Sequence, residues 1–162
     1  MFSTGYNRKN ATSYALKYAL SPNSSYPYYA LDCTNFTSQC LVAGNIPMHY
    51  GSSGENNCWY FSNDNSRSSS WAGAKYFRWY LKSSNCKIKW SNSNWSNIEN
   101  GDIIQLLNGD GDAFHSLIVT GVAYSSYGRS DILVSCHTTN RRHVSLASYY
   151  SSSDKAYYHI TG

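Results

Sequence analysis

Asp32-Cys33-Thr34-Asn35-Phe36-Thr37-Ser38-Gln39-Cys40-Leu41, closed by Gly44, is the stretch around which the rest of the chain can be read. Asp32 is a natural N-cap and Gly44 a natural stop at the other end. Cys33, Phe36, Thr37, Cys40 and Leu41 recur at i, i+3, i+4, i+7 and i+8, the spacing of an apolar stripe on a helix. The spacing predicts a helix of about three turns, with Cys40 toward the core and Cys33 in the first turn. A thiol placed there faces unpaired N–H groups and the positive end of the macrodipole. That setting lowers its pKa and favours the thiolate.

Working outward, Tyr6 to Leu20 predicts a second amphipathic helix, with Ala11, Ala15, Tyr14 and Tyr18 at helical spacing. Pro22 and Asn23-Ser24-Ser25 end it, and the tyrosine loop Tyr26-Pro27-Tyr28-Tyr29 follows. Met48 to Ser70 is a long irregular stretch around Trp59-Tyr60-Phe61, and such stretches are usually functional. Trp71 to Leu81 predicts a third helix. The pattern then changes to strands: Ile103 to Leu107, Ser116 to Val122 and Ile132 to Cys136, with a hairpin tip over Ala123 to Ser130 and a last strand at Tyr157 to Ile160. Helices come first and an antiparallel sheet second, so the class is α+β, in one domain spanning 1–162.

Composition excludes several functions. Hydrophobic residues are 41% of the 162, with 16 Tyr and 5 Trp, so the chain can bury a core and is not disordered. No apolar run approaches the length of a membrane span. Charged residues are only 14%, the net charge is +4, and the basic residues are scattered apart from Arg141-Arg142. A nucleic-acid partner, which needs a clustered basic face, is disfavoured. A weakly basic, aromatic surface suits an anionic polymer such as a cell wall. Five cysteines is an odd number, without CxxC spacing, so at least one thiol is unpaired within a monomer. Met1 to Ala11 holds no apolar signal-peptide segment.

His115 opens one strand of the hairpin and His137 follows the other, in Ser135-Cys136-His137-Thr138-Thr139-Asn140. A tip centred near Ser126 sets His115 opposite His137, and a shift of one or two residues brings Thr138 to Asn140 there instead. A thiol, an imidazole and a polar group orienting the ring are the parts of a thiol hydrolase. Asn108, Asp110 and Asp112 alternate with glycines as in a calcium loop, but no Glu follows at loop position 12, so they read as a polar turn. His49, His143 and His159 lack zinc-ligand spacing and read as surface residues. No metal and no cofactor is expected. Cys136 points away from His137 on its strand and is not the expected nucleophile.

These residues resemble a known family over nearly the whole chain. Tyr6-Asn7-Arg8 with Ala11 and Tyr14-Ala15 resembles its opening YNRxxA helix, and Asp32 to Gln39 its DCTNFxSQ signature. Gly101-Asp102, then His115-Ser116 with Val119-Thr120-Gly121, resembles its GD…HSxxVTG segment, and His137-Thr138-Thr139-Asn140-Arg141 its HTx(N/D)R ending. The family is the amidase-like domain of Gram-positive bacteria and their phages, within the NlpC/P60 and CHAP group of papain-like cysteine hydrolases. The resemblance implies a papain-like fold, with the nucleophile helix packed on an antiparallel sheet. It implies a peptidoglycan hydrolase, either an N-acetylmuramoyl-L-alanine amidase or an endopeptidase. Cys33 would be the nucleophile and His115 the base, with His137 preferred to Asn140 as third member. The Cys33 N–H would be one oxyanion donor and the Tyr28 or Tyr29 hydroxyl a second. Trp59, Tyr60, Trp71 and Trp95 are candidates either to line a groove for sugar or stem peptide or to pack in the core. The expected setting is the extracellular wall, reached as a monomeric phage lysin released through a holin or as one domain of a longer lysin. A thiol peptidase or transferase, or a wall-binding module without catalysis, would share much of this pattern.

Overall fold

The computed structural model describes residues 5–51 and 57–162. Among the described residues five helices and eight strands follow in chain order. Helix α1 (Arg8–Tyr18) starts at Asn7, whose side-chain oxygen accepts the Asn10 N–H at 2.9 Å. It buries Ala11 and Ala15 completely. Helix α2 (Cys33–Ala43) begins immediately after Asp32, where the sequence places it. The hairpin β1 (Phe61–Asn63) and β2 (Ser66–Arg67) comes next, then α3 (Ser69–Ala72) and α4 (Ala74–Lys82). The remainder is β3 (Trp90–Asn92), β4 (Ile103–Leu107), β5 (Ala113–Ser125), β6 (Gly128–Cys136), β7 (Arg141–Ser145), α5 (Leu146–Tyr150) and β8 (Asp154–Ile160).

Strands β3 to β8 form one antiparallel sheet in the order β3-β8-β4-β5-β6-β7. Alternate residues of a strand face opposite sides, and both sides are covered. Ile103, Ile118, Tyr158 and Ile160 join Ala11, Phe36, Leu41, Trp59, Trp71 and Phe77 in a large core under the long helices. Ile104, Leu106, Leu117, Val119, Ile132, Val134 and Cys136 form a second core on the reverse face, closed by Leu146 of α5. Each buried Val, Leu, Ile or Phe among them contributes about 1.5–3 kcal/mol by leaving water. The class is therefore α+β, as the order of periodicities predicts.

Helix α2 departs from a simple stripe: every residue from Cys33 to Leu41 is buried. Its polar members are matched instead of solvated. Asn35 donates to the Pro27 carbonyl and accepts from the Trp71 indole, Ser38 donates to the Trp71 carbonyl, and Gln39 accepts the Tyr14 hydroxyl. The helix expected from Trp71 to Leu81 is two helices, because Gly73 is extended (φ −112°, ψ 124°) and breaks the run. Gly44 ends α2, but the left-handed residue is Asn45 (φ 73°). What requires glycine at 44 is the Tyr6 ring, one carbon of which would lie 2.3 Å from a Cβ. The hairpin tip is tighter than expected, with β5 running to Ser125 and β6 starting at Gly128. Backbone pairing and the Arg129 bonds to the Trp95 and Ile98 carbonyls hold that outer ribbon, so its polar side chains carry no strand signal. Among the described residues no helix is long and apolar enough to cross a membrane.

Candidate active site

Asp32 has more work than an N-cap. Its side chain makes no capping bond to α2. One carboxylate oxygen accepts the Tyr29 N–H at 2.9 Å and the Asn35 amide at 2.8 Å, and the other meets His137 Nδ1 at 2.5 Å. The second ring nitrogen of His137, Nε2, lies 2.9 Å from the Tyr18 carbonyl oxygen at the end of α1. The ring stacks on Phe36 with centroids 4.0 Å apart and is 1% exposed. Both partners of His137 are acceptors, so no ring nitrogen is free to take or orient a proton. The expectation that His137 is the third catalytic residue is therefore corrected: it ties α1, α2 and the end of β6 together. Sequence register could not foresee this, because the acid that captures the ring lies 105 residues earlier.

Cys33 sits where the sheet runs out. Val119 N–H and C=O both serve the β4 side, bonding Asp102 and Gly101. By alternation the Ser116 N–H points to the β6 side, where β6 has already ended at Cys136. The Cys33 thiol takes that donor, and hydroxyls of Thr34 and Thr138 also favour its ionised form. Burial outweighs them and pushes the thiol above its ordinary value. This corrects the expectation of a lowered pKa: the helix mouth is present, but the sulfur is nearly sealed, with the residue 5% exposed. The expected oxyanion donor is also engaged. Thr138 Oγ1 accepts the Cys33 N–H at 3.2 Å and the Asp32 N–H at 2.9 Å. Thr138 holds a left-handed backbone (φ 63°), which is costly for a β-branched residue.

His115 is next to Ser116 on β5, so its strand end carries both the imidazole and the amide that touches the thiol. The ring lies on the reverse face of the sheet, level with Leu106 and 5.6 Å from the Tyr150 ring. Among the described residues its nitrogens make no hydrogen bond, so no third group orients it. Burial first, and the Arg141 charge second, lower its pKa to about 4. Cys136 shares this face; its sulfur meets the Tyr150 hydroxyl at 3.2 Å, and burial pushes its thiol up to about 11.

The other expected site residues separate. Asn140 accepts the hydroxyl of exposed Tyr28 at 3.0 Å, and Tyr28 sits edge-on to His137. The Tyr29 hydroxyl accepts from Arg67 at 2.8 Å, so Tyr28 spends its proton within the fold while Tyr29 keeps its own. Trp59 and Trp71 are fully buried core residues, and their indole N–H groups are matched by Ser38 and Asn35. They line no groove. Tyr60 is half-buried against Tyr50. Trp95 accepts at its carbonyl from Arg129, which pairs with Tyr124, nine residues along β5 from His115. That is about 30 Å of strand, so Trp95 is not beside Cys33. In the Asn108 to Asp112 turn, the Asn108 side-chain oxygen accepts the Asp110 and Asp112 N–H groups. Cys58 and Cys86 are free thiols.

A second polar cluster gathers around Asp102 at the start of α1. Asp102, fully buried, accepts from Arg8 at 2.7 Å and from the Ile160 N–H, while its other oxygen accepts the Glu99 N–H and meets His159 at 3.1 Å. Glu99, Asp102 and His159 have the proximity of metal ligands. Arg8 already supplies the positive charge there, so these residues fit an ion-pair network better than a cation. His159 is thus held by the network, and His49 bonds the Tyr80 hydroxyl at 2.8 Å; neither is a free surface residue. His143 is exposed, with Nδ1 3.0 Å from the Thr120 hydroxyl.

The sequence profile of a family described as "Putative amidase domain" matches residues 5–161. An uncharacterized protein of Bacillus subtilis, YjcM, is 37% identical over 150 residues, which cover 86% of this chain and 32% of that protein. A second, YhbB, is 34% identical over 116 residues, covering 70% and 37%. The chain thus spans about a third of the length of the curated relatives it matches. No solved structure matches it.

Proposed function

The chain belongs to the putative amidase domain family, and from that premise we propose that it is a cysteine-dependent amide hydrolase acting on bacterial peptidoglycan. The observation that supports this most is the Cys33 thiol at the mouth of α2, touching the amide next to His115. Most polar groups around it are spent on holding the fold, whereas the thiol and the imidazole are not. The arrangement fits the papain-like plan that the sequence resembles.

In this reading His115 takes the Cys33 proton as the sulfur attacks the scissile carbonyl. The substrate oxygen displaces the Thr138 hydroxyl and receives the Cys33 and Asp32 N–H groups as charge develops on it. His115 then returns the proton to the leaving amine. Water, deprotonated by His115, hydrolyses the thioester and frees the acid and the thiol. A neutral imidazole is ready to act as base at neutral pH. The weakly basic, aromatic-rich surface and the relatives' bacterial origin favour the wall as substrate. The proposed place of action is outside the cell, with the chain working alone or as the catalytic part of a larger lysin.

The test is digestion of purified Gram-positive walls by the chain and by Cys33→Ala. Release of new amines or acids by the first alone, blocked by thiol alkylation and unaffected by EDTA, is expected. Equal digestion by Cys33→Ala overturns the assignment. Mass spectrometry of the products separates amidase cleavage, which frees intact stem peptides, from endopeptidase cleavage.

A further inference from the structure

The chain has six arginines, and five of them leave no buried nitrogen unmatched among the described residues. Arg8 bonds Asp102, Arg67 the Tyr29 hydroxyl, Arg78 the Tyr158 hydroxyl, Arg129 the Trp95 and Ile98 carbonyls, and Arg142 the Leu16 carbonyl. Arg141 is different. Its guanidinium makes no ion pair among the described residues, its one polar contact is with the Tyr150 hydroxyl, and its Nε is buried without any partner. Leaving a charged donor desolvated and unmatched is costly, and folds avoid it unless something else completes the set.

The side chain is nevertheless well placed. Its guanidinium carbon lies 4.1 Å from the Tyr149 ring centroid and 6.0 Å from that of Tyr150. Tyr150 is also the ring against His115. Two aromatic faces thus hold a planar, fork-shaped donor beside the imidazole. A carboxylate matches that fork with two parallel hydrogen bonds, and none of the protein's own is within ion-pair distance among the described residues.

We propose that Arg141, backed by Tyr149 and Tyr150, is a carboxylate-binding subsite, and that the substrate is an acyl peptide with a free carboxylate close to the amide that is cut. This deepens the hydrolase reading above and rests on it. Wall peptides carry such carboxylates either free or capped as carboxamides, so Arg141 would select the uncapped form. A carboxylate seated there also cancels the second of the two causes that weaken His115 as a base. The catalytic imidazole is then strengthened only when the right substrate is present.

The experiment measures binding apart from turnover. N-acetyl-L-alanyl-γ-D-glutamyl methylamide with a free α-carboxylate, and the same compound as α-carboxamide, are titrated into Cys33→Ala by calorimetry. At least about tenfold tighter binding of the carboxylate is expected, with the preference lost in Cys33→Ala/Arg141→Gln and partly kept in Cys33→Ala/Arg141→Lys. Equal affinity for the two peptides in Cys33→Ala overturns the proposal, as does a preference that survives Arg141→Gln. A preserved preference in a chain that digests no wall supports the subsite and refutes the hydrolase reading. Wall digestion without any preference does the reverse.

Discussion

Asp102 and Asp32 are both buried carboxylates that tie helix α1 to the sheet, one near each end of that helix. At the first, Arg8 reaches Asp102 and the Asn100 and Ile160 carbonyls, while the Tyr6 hydroxyl donates to the Gly101 carbonyl at 2.7 Å. Donors and acceptors there are matched, and the hollow of about 450 Å³ lined by Arg8, Glu99 and Tyr124 holds no thiol or unbonded imidazole. At the second, Asp32 and His137 match each other, but their neighbours do not. Cys33 has only weak donors, His115 has no hydrogen bond among the described residues, and the buried Arg141 Nε has no partner. Both regions use an acid, a histidine and a helix start. The one that leaves groups unmatched is the one where chemistry can occur, because a saturated group has nothing left to give a substrate.

The largest effect expected from breaking this contrast is at the sulfur. Cys33→Ala should lower wall digestion by roughly a thousandfold or more, the scale of losing a nucleophile, with the thermal midpoint little changed. Asp102→Ala should do the opposite. Removing an acid from a buried pair costs about 3–5 kcal/mol, to be read from urea unfolding, while the molecules that remain folded keep their Cys33 alkylation rate. A loss of alkylation matching that of Cys33→Ala would show that the two regions are not separate.

The pH dependence sharpens the same contrast. His115 is held neutral with its pKa lowered to about 4. Its unfolded value is near 6.5, so between those values the unfolded chain binds a proton that the folded chain refuses. Stability should fall as pH drops from about 6.5 to 4, by up to roughly 3 kcal/mol, and His115→Gln should flatten that part of the curve. The thiol shifts the other way. With Cys33 raised above its ordinary value, alkylation should climb about tenfold per pH unit through neutrality. A rate already at its plateau at pH 5 would instead reveal a thiolate–imidazolium pair.

What the sequence made legible follows from which forces are local. The start of α2 at Cys33, the β5–β6 hairpin and the α+β order rest on periodicity and caps, which adjacent residues determine. The Tyr6-Asn7-Arg8 and Gly101-Asp102 motifs were visible too, though their purpose was not, since Arg8 and Asp102 meet only in the fold. The same reason hid the role of His137, whose pairing with Asp32 depends on where α2 lands. The sequence leaves Trp59 and Trp71 open between groove and core because indoles serve both purposes; the matched N–H groups at Ser38 and Asn35 assign them to the core. Arg141 stands in the HTx(N/D)R motif and beside Arg142, but neither signals its role. Its significance is a buried Nε without a partner, which sequence cannot display.

The smallest of these effects concerns Thr138, which stands between the matched and unmatched groups. Its oxygen accepts two N–H groups at the start of α2, and its hydroxyl favours the ionised Cys33 sulfur. A single hydrogen bond of this kind is worth about 1 kcal/mol, so Thr138→Ala should slow Cys33 alkylation about fivefold at pH 7.5. Thr138→Ser should restore the rate, because the hydroxyl is all the contact needs and serine relieves the β-branched strain at φ 63°. Rates followed by intact mass decide it. If Ala and Ser behave alike, the hydroxyl does not reach the sulfur, and Thr138 belongs with His137 among the groups that only hold the fold.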